Sequence, residues 1–412
     1  MSAFFSSRWI SAPAHARELP GGLPRGFRAA GVACGIKDRG ASDLGLLVSD
    51  APATTSAARF TRSGTQSAPV LLCLEGCRLN AIRAVVVNSG NANAATGPPG
   101  FEAASRMQSL AADACGLAPE SVAVASTGVI GVPLPGDAVM AGIAAAGAEL
   151  RADGDSDFAA AIRTTDTLRK HISLEIMLES GPVRLSVQAK GAGMISPAFA
   201  TLLCFVQTDA ALLSETCELL LTVTVRRSFE HATVDGQLST SDTVIMQCSG
   251  ESGVEIQPES GDELRFGEAL DAALRQLALA VLHDGEGSRR VGRVVVRGGD
   301  EDAVHRSARA VAGSSLVKTA LYGGDPNWGR IVQAVGMAMP GTAPLPVDVA
   351  IEGVQVCARG AYVPHDRQAL AAAVQREEVE FEVGLPGQGA ETELFFSDLG
   401  HEYVTVNAEY TT

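Results

Sequence analysis

The sequence has few aromatic residues, no excess of basic residues and no long apolar run. Aromatic side chains make up only 5% of the 412 residues, so the core must be built mainly from alanine, valine and leucine. The 32 basic residues are outnumbered by 47 acidic ones, whereas a nucleic-acid binder normally carries a basic excess. No stretch approaches the roughly 20 apolar residues of a membrane-spanning helix. We therefore expect neither a nucleic-acid nor a membrane partner.

The cysteines and the N-terminus add two further expectations. Eight cysteines are dispersed without a repeated spacing, which argues against a disulfide framework and favours reduced thiols in a cytoplasmic protein. Residues 1–17 contain Arg8 and Arg17 but no acidic residue, a faint likeness to an organellar transit peptide. We prefer to interpret residues 1–23 as a plain N-terminal arm.

Glycine, by contrast, is abundant. Its 44 residues follow no triplet period, which is typical of tight turns and close backbone approaches. A mean hydropathy of +0.16 is too high for a disordered chain. The composition therefore indicates a folded, acidic protein built from small residues.

Short strand-like runs alternate with alanine-rich helical stretches, which predicts an α+β fold. The clearest helix is Arg265–Leu282, where leucines recur at the helical period, and the clearest strand is the alternating run Val379–Val383. The other predicted strands are 84–88, 121–125, 292–297, 346–351 and 391–396, and the other predicted helices are 101–115, 138–151, 302–313 and 366–375. We place a domain boundary near residue 290, between a main catalytic domain of 24–290 and a smaller C-terminal α+β domain of 291–412.

Seven segments are too polar and too rich in glycine for a core, yet too apolar at their edges for linkers. They are Asn88–Gly97, Ser126–Gly131, Thr164–Thr167, Lys190–Asp209, Thr233–Thr243, Asp284–Gly287 and Tyr322–Arg330. Each alone is more simply a tight turn, but such loops supply the backbone N–H groups and small hydroxyls of anion sites. Together they favour one site assembled from several loops.

Common catalytic motifs are missing. The seven histidines form no H-E-x-x-H or H-x-x-x-H pattern and no C-x-x-C pair exists, so we expect no metal site. Neither G-x-S-x-G nor a P-loop occurs, and no G-x-G-x-x-G follows a strand, so we expect no nucleotide cofactor. A hydroxyl nucleophile outside these schemes remains open.

One such nucleophile is a threonine freed at a new N-terminus, where its own α-amine acts as the general base. At Ala200–Thr201 a small residue precedes a threonine, Pro197 restricts the loop before it, and the apolar run Leu202–Val206 follows. This run is suited to a buried strand with the threonine at its head. On these residues alone, an Ala-Thr pair is far more often a coincidence than a cleavage site.

The segment around this pair, KGAGMISPAFATLLCFVQTDA, closely resembles the cleavage segment of the ornithine acetyltransferase / glutamate N-acetyltransferase (ArgJ) family of arginine biosynthesis. The resemblance extends over nearly the whole chain, in matching order and spacing. It includes PRGFRAAGVACGIK, VVVNSGNANAATG, STGVIG, TTDT, VDG…STSDTV, DGEG, LVKTALYGGDPNWGR and the C-terminal NAEYTT.

The resemblance implies an autoprocessing enzyme of the N-terminal-nucleophile type with a DmpA/ArgJ-like fold of layered sheets and helices. It implies a cut between Ala200 and Thr201 into an α chain of residues 1–200 and a β chain of 201–412, which assemble as an α2β2 heterotetramer. The implied substrates are N2-acetyl-L-ornithine and L-glutamate. No cofactor is implied, and whether acetyl-CoA serves as a second acetyl donor stays open.

The same resemblance implies the roles of individual residues. Thr201 is the nucleophile and, through its freed amine, the general base; Thr127 and Gly128 match the oxyanion-hole pair. Lys190 matches a substrate-binding lysine. The other positions that match substrate contacts, besides Thr201 itself, are Thr164, Glu286, Asn407 and Thr412.

Some residues depart from the family pattern. Ser196–Phe199 differs from the usual Ala-Pro-Asn-Met, and Ser288–Arg290 from the usual Ala-Thr-Lys after DGEG. Gln237-Leu238 stands where Asp-Thr is common, and Ser241 where Asn is common. These changes leave open a paralogue with another acceptor in a specialised pathway. An aminopeptidase- or amidase-type hydrolase on the same fold and a binding protein with a relic site are the remaining alternatives.

Overall fold

The computed structural model describes residues 4–196 and 202–409, so Ala200, Thr201 and Thr412 lie outside the described residues. In chain order its strands are β1 Ala16–Leu19, β2 Phe27–Val32, β3 Leu44–Ser49, β4 Thr55–Phe60, β5 Ala84–Asn91, β6 Val122–Val129, β7 Lys170–Leu178, β8 Gly181–Lys190, β9 Leu203–Thr208, β10 Ala211–Leu212, β11 Ala232–Thr233, β12 Thr243–Cys248, β13 Glu255–Ile256, β14 Val291–Arg297, β15 Asp348–Ile351, β16 Val354–Ala358, β17 Ala361–Tyr362, β18 Glu378–Gly384 and β19 Glu391–Ser397.

The helices fill the intervals between these strands. They are α1 Ala68–Gly76, α2 Gly97–Cys115, α3 Gly136–Ala148, α4 Asp155–Ala161, α5 Ser214–Arg227, α6 Gly261–His283, α7 Glu301–Gly313, α8 Ser315–Gly323, α9 Trp328–Ala338, α10 Arg367–Ala373 and α11 His401–Glu409. The predicted helices and strands all recur, with ends shifted by a few residues. In the part of the chain that the structure describes, no helix combines the length and apolar character needed to span a bilayer.

Two sheets face each other in the first part of the chain. One has six strands in the order β1-β7-β8-β9-β12-β4, and the other has four in the order β2-β3-β5-β6. Phe205 and Ile245 of the first pack against Leu47 and Val85 of the second. Because side chains alternate along a strand, the opposite faces of both sheets are also apolar and are covered by helices.

Helices α5 and α6 cover the outer face of the six-stranded sheet through Leu221, Leu270 and Leu274. Helices α2 and α3 cover the four-stranded sheet through Met107 and Ile143. The result is a helix–sheet–sheet–helix arrangement, which confirms the predicted α+β class with layered sheets and helices.

A third sheet collects the strands of the C-terminal part. Its order is β11-β19-β14-β18-β15-β16-β17, and its apolar face packs with α7 and α9 through Val304 and Val335. Strand β11 precedes residue 290 in the chain, yet it pairs with β19 of this third sheet. Strand β1, which lies in the predicted N-terminal arm, pairs with β7 of the six-stranded sheet. The domain boundaries at residues 23 and 290 therefore stay predictions.

The segments Asn88–Gly97 and Ser126–Gly131, which were predicted as loops, are partly strand. Asn88–Asn91 continues β5 and Ser126–Val129 continues β6, which run parallel with Ser89 opposite Thr127 and a bulge at Gly90–Asn91. The expectation of loops was wrong here because pairing with a neighbouring strand satisfies the backbone of polar residues that have low strand propensity. The end of β6 and Ala92, which directly follows β5, line one wall of the site.

Candidate active site

A cavity of about 290 Å³ lies where the two facing sheets meet the C-terminal helix α11. Polar and small residues dominate its wall. It is lined by Ala92, Thr127, Gly128, Ile130, Thr164, Thr165, Lys190, Gly193, Met194, Asp235, Gln237, Ser239, Thr240, Ser241, Glu286, Tyr403 and Asn407. Such a concave site with converging polar groups is the usual form of a small-molecule site.

Thr127 and Gly128 stand at the end of β6, beside the end of β5. Gly128 has a φ of +133°, and a Cβ atom at this position would lie only 2.3 Å from the carbonyl carbon of Gly90. A residue with a side chain is therefore excluded from this position. The backbones of β5 and β6 therefore pack closely together at the point where Thr127 and Gly128 line the cavity.

Lys190 ends β8 and is almost completely buried, with 2% of its surface exposed. Its Nζ donates a hydrogen bond to Oγ1 of Thr127 at 3.0 Å. Burial lowers the pKa of Lys190, and the nearby carboxylate of Asp166 opposes this shift. A charge on Lys190 would therefore act where water is scarce and charge–charge interactions are strong.

A buried group of three charged residues supports this wall. The Nζ of Lys170 donates to Oδ1 of Asp166 at 2.7 Å and to Oδ2 of Asp284, and its side chain is fully buried. We call Asp166, Lys170 and Asp284 the buried triad. Burial opposes ionisation of Asp166, yet Lys170 and Lys190 lower its pKa to about 2.

The buried triad ties together three segments that line the cavity. Asp166 accepts the N–H of Gly191 at 2.7 Å and that of Thr164 at 3.1 Å. Asp284 accepts the N–H of Thr167 at 3.1 Å, so the loop after α6 is fixed to the loop before β7. The positions of Thr164, Lys190 and Glu286 therefore depend on one shared group of charges.

The opposite wall is formed by Glu286 and the C-terminal helix. Asn407 Nδ2 donates to Oε2 of Glu286 at 2.7 Å, and the Glu286 N–H donates to the carbonyl oxygen of Ala192. A Cβ atom on Gly193 would approach the Glu286 carboxyl carbon to 2.8 Å, so glycine leaves space for this carboxylate. Tyr403 Oη donates to Asp235 Oδ2 at 3.3 Å and closes the wall.

The profile of one protein family matches residues 28–412, and it is that of the ArgJ family. The chain belongs to the ArgJ family. It is 41% identical over 401 residues to the arginine biosynthesis bifunctional protein ArgJ of Symbiobacterium thermophilum, covering 96% of this chain and 99% of that protein. The protein of the same name from Thermus thermophilus is 43% identical over 397 residues, or 95% and 99% of the two chains.

The chain is also similar to proteins of known structure. The crystal structure of the arginine biosynthesis bifunctional protein ArgJ from Bacillus halodurans is 31% identical, covers 50% of this chain and 98% of that one, and has a TM-score of 0.47. The crystal structure of the ornithine acetyltransferase of Mycobacterium tuberculosis in complex with ornithine is 37% identical and has a TM-score of 0.41. The match covers 46% of this chain and 100% of the Mycobacterium tuberculosis chain.

The structure brings together six of the site residues that the ArgJ resemblance implies. Thr127, Gly128, Thr164, Lys190, Glu286 and Asn407 all line the same cavity. The C-terminal tail does reach the site, as a role for Asn407 requires. Ala200, Thr201 and Thr412 lie outside the described residues, and the roles assigned to all nine stay predictions.

Other residues that build the site were not identified individually from the sequence. Asp166 and Asp284 fall within the TTDT and DGEG segments, which the ArgJ resemblance did single out. Lys170 and Tyr403 carried no signal, because a lysine next to a strand and a tyrosine near a terminus are ordinary surface residues. Only the tertiary contacts show that Lys170 is buried between carboxylates.

The DPNWGR segment has a structural role. Asn327 Oδ1 accepts the N–H of Arg330 at 3.4 Å and caps the first turn of α9. Arg330 donates to the carbonyl oxygen of Leu316 at 2.6 Å, which joins α9 to α8. From the sequence, this segment could be either part of the site or a structural turn. Its contacts are those of residues that begin a helix.

Proposed function

We propose that this protein is a glutamate N-acetyltransferase that moves an acetyl group from N2-acetyl-L-ornithine to L-glutamate. The observation that carries the proposal is the convergence of Thr127, Gly128, Lys190 and Glu286 on one cavity. Lys190 lies opposite Leu203, the first residue of β9, which is two positions after Thr201 in the chain. Its curated relatives are named as bifunctional enzymes of arginine biosynthesis, which supports the same pathway.

The chemistry proceeds in two half-reactions through an acetyl-enzyme. Oγ of Thr201 attacks the acetyl carbonyl carbon while the freed α-amine of Thr201 takes the hydroxyl proton. Thr127 and Gly128 stabilise the oxyanion. The intermediate collapses with cleavage of the amide bond, and the proton passes to the departing ornithine amine. Glutamate then attacks the ester by the same steps in reverse and leaves as N-acetylglutamate.

Charged side chains select the substrates. Lys190 supplies a cation for the α-carboxylate that acetylornithine and glutamate share. Glu286, held by Asn407, supplies an anion that suits the side-chain ammonium of ornithine. Thr164 and Thr412 complete the proposed contacts.

Several finer features belong to the same proposal. The precursor cuts itself between Ala200 and Thr201, and the two chains remain together as an α2β2 heterotetramer in the cytoplasm. Acetyl-CoA acts as a second acetyl donor, which is consistent with the word bifunctional in the names of the relatives. No metal or organic cofactor takes part in the proposed steps.

A different acetyl acceptor is the second candidate. Gln237 and Ser241, which depart from the family pattern, both line the cavity. A change of side chain at the wall alters the space and hydrogen bonds offered to the acceptor. A paralogue serving a specialised pathway would therefore be expected to differ at such positions.

The test is a steady-state assay of ornithine release from acetylornithine, with and without glutamate. We expect release to require glutamate and to yield N-acetylglutamate, with a Thr201→Ala variant inactive and uncut. Rapid acetate release without glutamate would favour a hydrolase. Transfer to other amino acids in preference to glutamate would favour the specialised paralogue, and acetyl-CoA in place of acetylornithine tests the second donor.

A further inference from the structure

The carboxylate of Asp235 joins two separate parts of the cavity wall. Its Oδ2 accepts the N–H of Met194 at 2.6 Å, and its Oδ1 accepts the N–H of Ile195 at 3.0 Å. Oδ2 also accepts a hydrogen bond from the hydroxyl of Tyr403 in α11 at 3.3 Å. The N–H of Gln237 donates to Oδ1 at 3.0 Å. All four neighbours are donors, which suits a carboxylate with two acceptor oxygens but not an amide.

Residues 193–195, which we call the wall segment, depend on these hydrogen bonds. Met194 has a φ of +61°, a left-handed conformation that is unfavourable for a residue with a side chain. The carbonyl oxygen of Ile195 accepts the N–H of Val234 at 3.0 Å, so a further contact ties the segment to the loop that carries Asp235. Gly193 and Met194 line the cavity. Asp235 therefore stabilises the wall segment in a conformation that its backbone alone disfavours.

The wall segment and α11 both lead to Glu286. Just before the wall segment, the carbonyl oxygen of Ala192 accepts the N–H of Glu286 at 3.2 Å. One turn of α11 after Tyr403, Asn407 Nδ2 donates to Oε2 of Glu286 at 2.7 Å and to the carbonyl oxygen of Tyr403 at 3.0 Å. The contacts therefore form a closed ring that begins and ends at Asp235 and passes through Glu286.

Other contacts show how closely Glu286 depends on this ring. A Cβ atom on Gly193 would approach the Glu286 carboxyl carbon to 2.8 Å, so the wall segment lies directly against this side chain. Burial and the nearby carboxylate of Asp235 raise the pKa of Tyr403, so its hydroxyl keeps its proton and remains a donor. No residue of α11 is fully buried, so the hydrogen bonds of Tyr403 and Asn407 are important for its attachment.

We infer that Asp235 is a positioning residue that fixes the Glu286 carboxylate and thereby makes the site select an acetyl donor with a cationic side chain. This inference rests on the proposed function, in which Glu286 binds the side-chain ammonium of ornithine, and extends it. Asp235 acts on Glu286 through the wall segment and through Tyr403. A hydrogen bond between an ammonium and a carboxylate is short and directional, so a carboxylate that is free to move binds the ammonium less well.

The test compares the two half-reactions in an Asp235→Asn variant. Acetylornithine carries a side-chain ammonium and glutamate does not, so only the first half-reaction uses the proposed contact with Glu286. We expect kcat/KM for acetylornithine to fall about tenfold, mainly through KM, because asparagine has one acceptor oxygen and its amino group would face N–H donors. The kcat/KM for glutamate should stay within about threefold of wild type, whereas a general structural defect would lower both.

Tyr403→Phe is a second, milder variant. It removes one hydrogen bond of the ring and leaves those of the wall segment. We expect kcat/KM for acetylornithine to fall about fivefold, with that for glutamate again little changed. This variant decides the question alone if Asp235→Asn does not fold or is not cut.

Two substitutions outside the site are matched controls. Asp262 accepts the N–H groups of Glu179 at 2.6 Å and Ser180 at 3.1 Å, as Asp235 does for two consecutive residues, but it lies at the N-terminal end of α6, whereas Glu286 follows the C-terminal end. Tyr362 is an exposed tyrosine of β17. Asp262→Asn and Tyr362→Phe should keep the wild-type kcat/KM for both substrates.

Equal losses of kcat/KM for the two substrates in Asp235→Asn and Tyr403→Phe would overturn the inference. So would an unchanged kcat/KM for acetylornithine in both variants, or in Tyr403→Phe where it alone can be measured. A wild-type protein that transfers no acetyl group from acetylornithine to glutamate would instead refute the proposed function itself.

Discussion

At the residue scale, Gly128 is the position where the site leaves no space for a side chain. We expect Gly128→Ala to force β6 away from β5, because the new Cβ would overlap the backbone of Gly90. The free energy of unfolding should fall by roughly 2–4 kcal/mol, and the rate of acetyl transfer should fall by at least about tenfold. Chemical denaturation and steady-state kinetics measure the two effects.

Gly136→Ala is the control for this substitution. Gly136 is the first residue of α3, and a Cβ atom there would have no neighbour within 4 Å. Stability and activity should both remain close to wild type. Equal losses of stability and activity in Gly128→Ala and Gly136→Ala would show that the close approach of β5 and β6 is not the cause of the losses.

At the scale of elements, the buried triad joins the loop before β7, the end of β8 and the loop after α6. Lys170→Met would leave Asp166 and Asp284 as buried carboxylates without a cation between them. Breaking such a pair costs about 3–5 kcal/mol, so we expect that loss in the free energy of unfolding and a weakened affinity for substrate. Denaturation and the KM for acetylornithine are the measurements.

An exposed ion pair on a neighbouring strand serves as the comparison. Arg17 of β1 pairs with Glu175 of β7 at 2.8 Å, and 71% of the arginine side chain is exposed. Arg17→Met should cost no more than about 1 kcal/mol and leave KM unchanged. A Lys170→Met protein as stable as Arg17→Met would show that the triad does not hold the three segments.

Lys318 of α8 gives a pH-dependent prediction at the same scale. Burial lowers the pKa of Lys318 to about 7, and its Nζ donates to the carbonyl oxygen of Ser397. Because the unfolded chain binds this proton up to a higher pH, Lys318 makes stability rise with pH between about 7 and 10. The contribution is up to about 1.4 kcal/mol per pH unit.

Lys318→Met should remove this contribution. Unfolding free energies measured from pH 7 to 10 would then rise less steeply, or fall more steeply, than those of wild type. Parallel curves for the two proteins would mean that Lys318 titrates at the same pH in the folded and unfolded states.

The sequence predicted elements better than the contacts between them. Helix α6 and strand β18 follow from apolar patterns that are local in the chain. The ends of β5 and β6 were expected to be loops, because their pairing depends on residues about 40 positions apart, and the sequence pattern does not reveal such pairing. Likewise Lys170 could not be recognised, since partners distant in sequence decide its burial and the charges around it.

At the scale of the whole molecule, the six-stranded sheet combines strands from both sides of the predicted cut. Its order places β9 and β12, which follow residue 201, between β8 and β4, which precede it. The hydrogen bonds between β8 and β9, and those between β4 and β12, therefore connect the predicted α and β chains. This arrangement explains why a cut at Ala200–Thr201 need not separate them.

The central claim is that Thr201 becomes an N-terminal nucleophile that carries the acetyl group. Intact-mass measurement of the denatured protein, before and after brief treatment with acetylornithine, tests it most directly. We predict chains of residues 1–200 and 201–412, with one acetyl group gained on the second chain and lost again when glutamate is added. A single uncut chain that still transfers acetyl groups, or a cut protein whose second chain never gains mass, would contradict the account.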